Sequence, residues 1–103
     1  MIVVTGTILA RPETVDELKR LSLEHTRRSR TEPNCISHDV HIDCENPLRI
    51  AFTERWADAA ALKAHFLVPA SGAFVQQAAK LAAGAPDLFI FDAKELSAKV
   101  IMT

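Results

Sequence analysis

The sequence predicts an α+β domain of order β-α-β-β-α-β, with one four-stranded antiparallel sheet carrying its helical segments on a single face. Three observations predict it: an uncharged β-branched run at the N-terminus, two period-two stretches joined by an Asn-Pro turn, and an apolar helical stripe on either side of that hairpin. A chain of 103 residues, 49% of them hydrophobic, supports one core and not two. Residues 1–103 therefore read as a single domain, with 97–103 as a C-terminal tail.

Ile2 to Ala10 is apolar, β-branched and uncharged, which suits a strand buried on both faces until Arg11-Pro12 interrupts it. A helix is predicted from about Pro12 to Thr31. Pro12 fits the first turn, Glu13, Asp16 and Glu17 favour its positive end, and Arg27, Arg28 and Arg30 favour the other. Val15, Leu18, Leu21 and His25, with Leu23 beside them, form its sheet-facing stripe, and Glu32-Pro33-Asn34 ends it.

From Cys35 the period becomes two. Ile36, His38, Val40, Ile42 and Cys44 alternate with Ser37, Asp39, His41, Asp43 and Glu45. After the Glu45-Asn46-Pro47 turn, Leu48, Ile50, Phe52, Glu54 and Trp56 alternate with Arg49, Ala51, Thr53 and Arg55, which completes a hairpin. Asp58 is placed to cap a helix over Ala59 to Phe66, Pro69 splits that helical region, and Phe74, Gln77, Ala78 and Leu81 carry the stripe to Gly84. A fourth strand follows Pro86, with Leu88 and Ile90 facing opposite to Phe89 and Phe91.

This order is the ferredoxin-like sandwich, which leaves one sheet face uncovered. Strand one has no polar face, and Ile50, Phe52 and Trp56 share a face with Glu54. Both features suggest that the uncovered side is apolar and that a second copy covers it in twofold symmetry, giving a homodimeric α/β barrel. Arg49, Thr53 and Arg55 are then expected beneath the helices or at an edge.

Twelve basic residues against 13 acidic ones leave no electrostatic footprint for nucleic acid or an anionic membrane. No apolar run approaches the roughly 20 residues that span a bilayer, and the N-terminus lacks a basic region and a cleavage site, so a soluble cytoplasmic protein is expected. Cys35 and Cys44, on one extended strand, would stand about 30 Å apart, too far for a disulfide, and no Cys/His spacing matches a structural zinc site.

Asn34-Cys35-Ile36-Ser37-His38-Asp39-Val40-His41, then Phe52-Thr53-Glu54-Arg55-Trp56, then Leu62-Lys63-Ala64-His65-Phe66, resemble in order and spacing the antibiotic biosynthesis monooxygenase domain, which includes the small quinol monooxygenases. Members of that family often read E-P-G-C before strand two, E-R-W at the end of strand three and A-H on the next helix. The resemblance runs over about residues 2 to 93. It implies a homodimer with a lumen in each subunit, and oxidation of a phenolic or quinol-type aromatic by O2 with no metal or flavin. The chemistry is reasonable physically. A deprotonated electron-rich aromatic can pass an electron to O2 itself, so the protein supplies an apolar pocket, a proton acceptor and hydrogen bonds.

The candidates for proton handling are Glu54, His65 and His38, and the candidates for the substrate wall are Trp56, Phe52, Phe66 and Leu62. Glu54 is a carboxylate on an otherwise apolar face, either a base or an ion-pair partner. His65 is on the helix that closes the pocket in the resembled family and can accept a proton near neutral pH. His38 shares the inward face of strand two, and Trp56 occupies the position of the family's pocket tryptophan. His41 and His25 read as structural. The chain departs from relatives in three places. Val68-Pro69-Ala70-Ser71 lacks a second histidine, Thr5-Gly6-Thr7 lacks the asparagine of the haem-degrading branch, and there is no tyrosine. Two other functions use the same lumen: a non-catalytic module that binds a small hydrophobic molecule in a stress response, and an isomerase or lyase that moves a proton without O2.

Overall fold

The central strand is the N-terminal one, as its lack of charge requires. In the computed structural model, which describes residues 1–103, β1 (Ile2–Leu9) lies between β3 (Asn46–Trp56) and β4 (Asp87–Asp92), and β2 (Cys35–Asp43) is on the far edge beside β3. All pairings are antiparallel, and the sheet is not closed into a barrel within one chain. The fold is the expected ferredoxin-like α+β sandwich. Helix α1 is Val15–Ser29, and the split second helical region is α2 (Ala59–Leu67) and α3 (Pro69–Leu81). The tail carries a short helix α4, Ala98–Met102, that the sequence reading left open.

Local chemistry explains the boundaries. Asp58 caps α2 by accepting from the Ala61 amide at 2.9 Å, as its position predicted. Pro69 stands at the start of α3, where its missing N–H is not needed. Asn34 has φ 62°, the left-handed region that asparagine tolerates. This sharp turn lets β2 start directly after α1. The α1 stripe is rotated relative to the predicted one. Leu18, Ser22, His25, Thr26 and Ser29 are buried, whereas Leu23 is exposed.

Register decides which face is covered. Val4 pairs with Glu54, Gly6 with Phe52 and Ile8 with Ile50, so these residues share the face beneath the helices. This corrects the inference that the Ile50, Phe52 and Trp56 face is the uncovered one: these three are buried by the chain's own helices. Arg49, Thr53 and Arg55 are not beneath the helices but on the opposite, open face, where Arg49 pairs with Asp43 at 3.1 Å and Arg55 donates to Ser37 at 2.8 Å. Ile36 is displaced as well. A β-bulge between Cys35 and Ser37 sets Cys35 opposite Trp56 and leaves Ile36 exposed, while His38 stays opposite Glu54.

Two apolar clusters form the core. Ile8, Ala10, Leu18, Ile50, Phe52, Ala78 and Ala82 make one, and Val4, Trp56, Ala61 and Leu62 make the other. Between them is a layer of buried polar side chains. Cys35, at the start of β2, and Cys44, in the turn just past its end, are both free thiols.

Candidate active site

Three histidines meet in that layer although they come from three different elements. His25 on α1, His38 on β2 and His65 on α2 have ring centroids 5.3 to 5.7 Å apart, and all three are buried. Glu54 on β3 is the fourth member. The helical positions follow from spacing: His25 lies seven residues after Leu18 on the same stripe, and His65 is three residues after Leu62 on the buried side of α2.

Each group has a defined partner. Trp56 donates its indole N–H to Glu54 Oε1 at 3.0 Å, and His38 Nε2 lies 3.4 Å from the same oxygen, an ion-pair distance without hydrogen-bond alignment. Burial pushes the Glu54 carboxyl up, but His38, the Trp56 hydrogen bond and His65 together outweigh it, so Glu54 is held below the usual carboxylate range. His65 Nδ1 is 2.9 Å from Glu32 Oε1, and its Nε2 is 4.0 Å from Glu54 Oε1. An ionised carboxylate only accepts, so with Glu32 ionised a neutral His65 ring carries its proton on Nδ1 and leaves Nε2 bare. His25 is the reverse case. The Arg28 guanidinium, which only donates, lies 2.6 Å from Nδ1, so the neutral ring carries its proton on Nε2. Burial, with the neighbouring His38, His65 and Arg28, lowers His25 from 6.5 to about 3, and it stays neutral at physiological pH.

This layer forms the polar end of a cavity of about 560 Å³ that opens between the sheet and α3. Its apolar walls are Ile8, Phe52, Phe66 and Phe74, Gly6 forms part of its floor, and its ionisable lining is His25, Glu54 and His65 at one end with Asp87 on β4. Of the sequence candidates, Glu54, His65, Phe52 and Phe66 border the cavity. His38, Trp56 and Leu62 do not: His38 is on the edge strand β2, and Trp56 at the end of β3 packs with Leu62 of α2 in the second apolar cluster, beyond the polar layer. Trp56 instead stands behind the site, its ring centroid 4.6 Å from that of His65 at a tilt of 35°, and bonded to Glu54. Sequence reasoning missed His25, Arg28, Glu32 and Phe74. The first signal available was the place of His25 on the buried stripe; Phe74 stacks on it at 4.2 Å.

The same histidines are the arrangement nearest to a metal site, with ring nitrogens within 4.8 Å of one another. Nitrogens bound to one ion at about 2.1 Å cannot lie more than about 4.2 Å apart, and the His25 Nε2 proton leaves no lone pair there. The residues as placed do not fit a resident ion. Cys35 is no better as a soft ligand or nucleophile, since burial pushes its thiol up.

Comparison with known proteins agrees with this architecture. A family model described as antibiotic biosynthesis monooxygenase matches residues 1–77. An uncharacterised Synechocystis protein, sll1783, is 34% identical over 94 residues, 91% of this chain and 64% of that protein, so the chain spans a little under two thirds of its length. Among solved structures, an antibiotic biosynthesis monooxygenase superposes with a TM-score of 0.85 at 26% identity, covering 92% of this chain and all of the other. Rv0793 from Mycobacterium tuberculosis has a TM-score of 0.86 at 18% identity, with 94% and 98% covered, a likeness of fold alone. No helix is long and apolar enough to cross a membrane.

Proposed function

Because the chain belongs to the antibiotic biosynthesis monooxygenase family, we propose that it is a cytoplasmic, cofactor-independent monooxygenase that oxidises a quinol or phenolic aromatic with O2. The observation that carries this reading is the shape of the cavity: aromatic and aliphatic walls, and one end made of His25, Glu54 and His65. A flat aromatic fits between Phe52, Phe66 and Phe74, with its hydroxyl toward the polar end. The bare Nε2 of His65 takes the hydroxyl proton, His25 Nε2–H donates to the resulting oxyanion, and Glu54 keeps the ring nitrogens oriented, with His38 and Trp56 fixing its carboxylate from behind. The phenolate then reduces O2 in the dry cavity. For a simple phenol the reaction balances as phenol plus O2 giving quinone plus water. Trp56 and Leu62 act as supports of the site in this scheme.

A second copy of the chain completes the molecule in this reading. The open face and the β4 edge carry Val3, Leu9, Phe89 and Phe91, the last two about half exposed in one chain. Packing two such faces together covers both at once.

Oxygen uptake with a panel of hydroquinones and phenols tests the activity. The wild type is expected to consume O2, and His65→Ala, which removes the proton acceptor, and Glu54→Gln, which removes the charge that orients it, are each expected to lose about a hundredfold. Binding of small aromatics with no uptake from any of them would refute the oxygenase and favour a ligand-binding module.

A further inference from the structure

We propose that Glu32 and His65 form a proton relay connecting the aromatic cavity to a second pocket on the opposite side of α2, with Glu32 as the proton store. The inference deepens the reading above and rests on it, since a relay is needed only if a hydroxyl is ionised in the cavity.

The two ends of the path are visible. His65 lines the cavity. Glu32, at the turn after α1, lines a separate pocket of about 260 Å³ together with Pro33, Asn34, Asp58, Ala61 and Val68. The 2.9 Å contact from His65 Nδ1 to Glu32 Oε1 joins them, and the Glu32 side chain is 13% exposed. Glu32 Oε2 is buried and has no donor, so one acceptor position on this carboxylate stands free.

No other neighbour of His65 leads to that second pocket. Glu54 approaches Nε2 from β3 at 4.0 Å, but behind it are only Trp56 and His38, both wholly buried. His25 on α1 has its Nδ1 occupied by Arg28, which cannot accept a proton. Among the groups packed on this imidazole, Glu32 is the acceptor that borders the second pocket. The spacing of carboxylate, histidine and open Nε2 is that of a base oriented by an acid.

The bookkeeping involves protons alone. The substrate O–H breaks as the His65 Nε2–H bond forms, the Nδ1–H bond breaks, and an O–H forms on Glu32. When O2 is reduced, the Nε2 proton goes to the new oxygen and Glu32 returns its proton to Nδ1, which restores the tautomer. The second pocket lets the store equilibrate with solvent.

Glu32→Gln separates orientation from proton storage, because the amide oxygen still accepts from Nδ1–H but takes no proton. Nitrogen-15 spectra of the whole protein are expected to show His65 protonated on Nδ1 in both the wild type and this variant, and a tautomer mixture in Glu32→Ala. A nitrophenol, whose neutral and ionised forms absorb at different wavelengths, should bind both proteins equally but be ionised about tenfold less in Glu32→Gln; with an oxidisable quinol, kcat falls about a hundredfold at unchanged KM. Equal ionisation in the two proteins, or His65 protonated on Nε2 in the wild type, overturns the relay. Absence of O2 uptake in the wild type defeats the oxygenase reading instead, and the tautomer and the nitrophenol still decide the relay.

Discussion

Lowering the pH from about 7 to about 5 should weaken the fold through His25 before any carboxylate is involved. The unfolded chain takes up a proton on this ring near 6.5, whereas the folded chain does not until about 3. Between these values the unfolded state binds more protons, so stability rises with pH and falls on acidification. At pH 5 the linkage amounts to about 2 kcal/mol, approaching a limit of about 1.4 kcal/mol per pH unit. Glu54 acts in the same direction but in a lower window. Its carboxyl is held below the usual value, so its contribution is complete above about 4.5 and is lost only as pH falls through the depressed value. The interval from about pH 5 to 7 thus separates the His25 contribution from that of Glu54. Urea unfolding in this interval is the assay, and 2 kcal/mol corresponds to a midpoint shift of about 1 M. His25→Gln retains an acceptor for Arg28 and removes the titration, so its midpoint should move much less. Equal shifts in the variant and the wild type would refute the assignment, and with it the neutral His25 Nε2–H donor at the polar end of the cavity.

Two further predictions concern the frame of the site. A Cβ on Gly6 would stand 3.1 Å from the Asp87 carbonyl oxygen and 3.3 Å from Leu88 Cδ1. Gly6→Val should therefore push β4 from β1 at about 1–3 kcal/mol, with the Asp87–Asp92 amides exchanging first in deuterium exchange; unchanged exchange there would contradict the close packing. Sedimentation of the 11.3 kDa chain should give twice its mass, and Phe89→Asp with Phe91→Asp should return the monomer. Four phenylalanines per symmetric interface at about 1.5 kcal/mol each shift the dimer equilibrium roughly 10⁴-fold. A wild type that sediments as a single chain removes the dimer.

The fold was legible because its elements are locally consistent. The hairpin announced itself by alternation, α2 by Asp58, and the split by Pro69. Strand faces were harder to read. The bulge at Cys35–Ser37 shifts the phase of β2 by one residue, and nothing in the side chains there signals it, so Ile36 looked buried and is not. Alternation also identifies two faces without saying which one the helices take, and Ile50, Phe52 and Trp56 were therefore assigned to the wrong side. In the site, Glu54 and His65 stood out because a carboxylate on an apolar strand face and a histidine on a helix beside it are chemically out of place. Glu32 did not, since next to Pro33 it reads as a helix terminator; its role depends on a contact with a residue 33 positions away.

The polar layer is costly to the fold, and this is the strongest physical reason to assign it a function. Two apolar clusters flank His25, His38, His65 and Glu54, and joining them with leucine and phenylalanine would give one continuous core. Instead the layer and its surroundings leave His38 Nε2, Arg28 Nε, Glu32 Oε2 and Ser22 Oγ buried without partners, each at about 1–3 kcal/mol. Packing alone does not call for such an arrangement, and a solvated ion-pair network would not be placed beneath two helices. Of these groups Glu32 and His38 adjoin one imidazole, that of His65, which lines an aromatic-walled cavity, the geometry that moving a proton out of water requires. A variant that fills this layer with apolar side chains should therefore be more resistant to denaturant and unable to ionise a bound phenol.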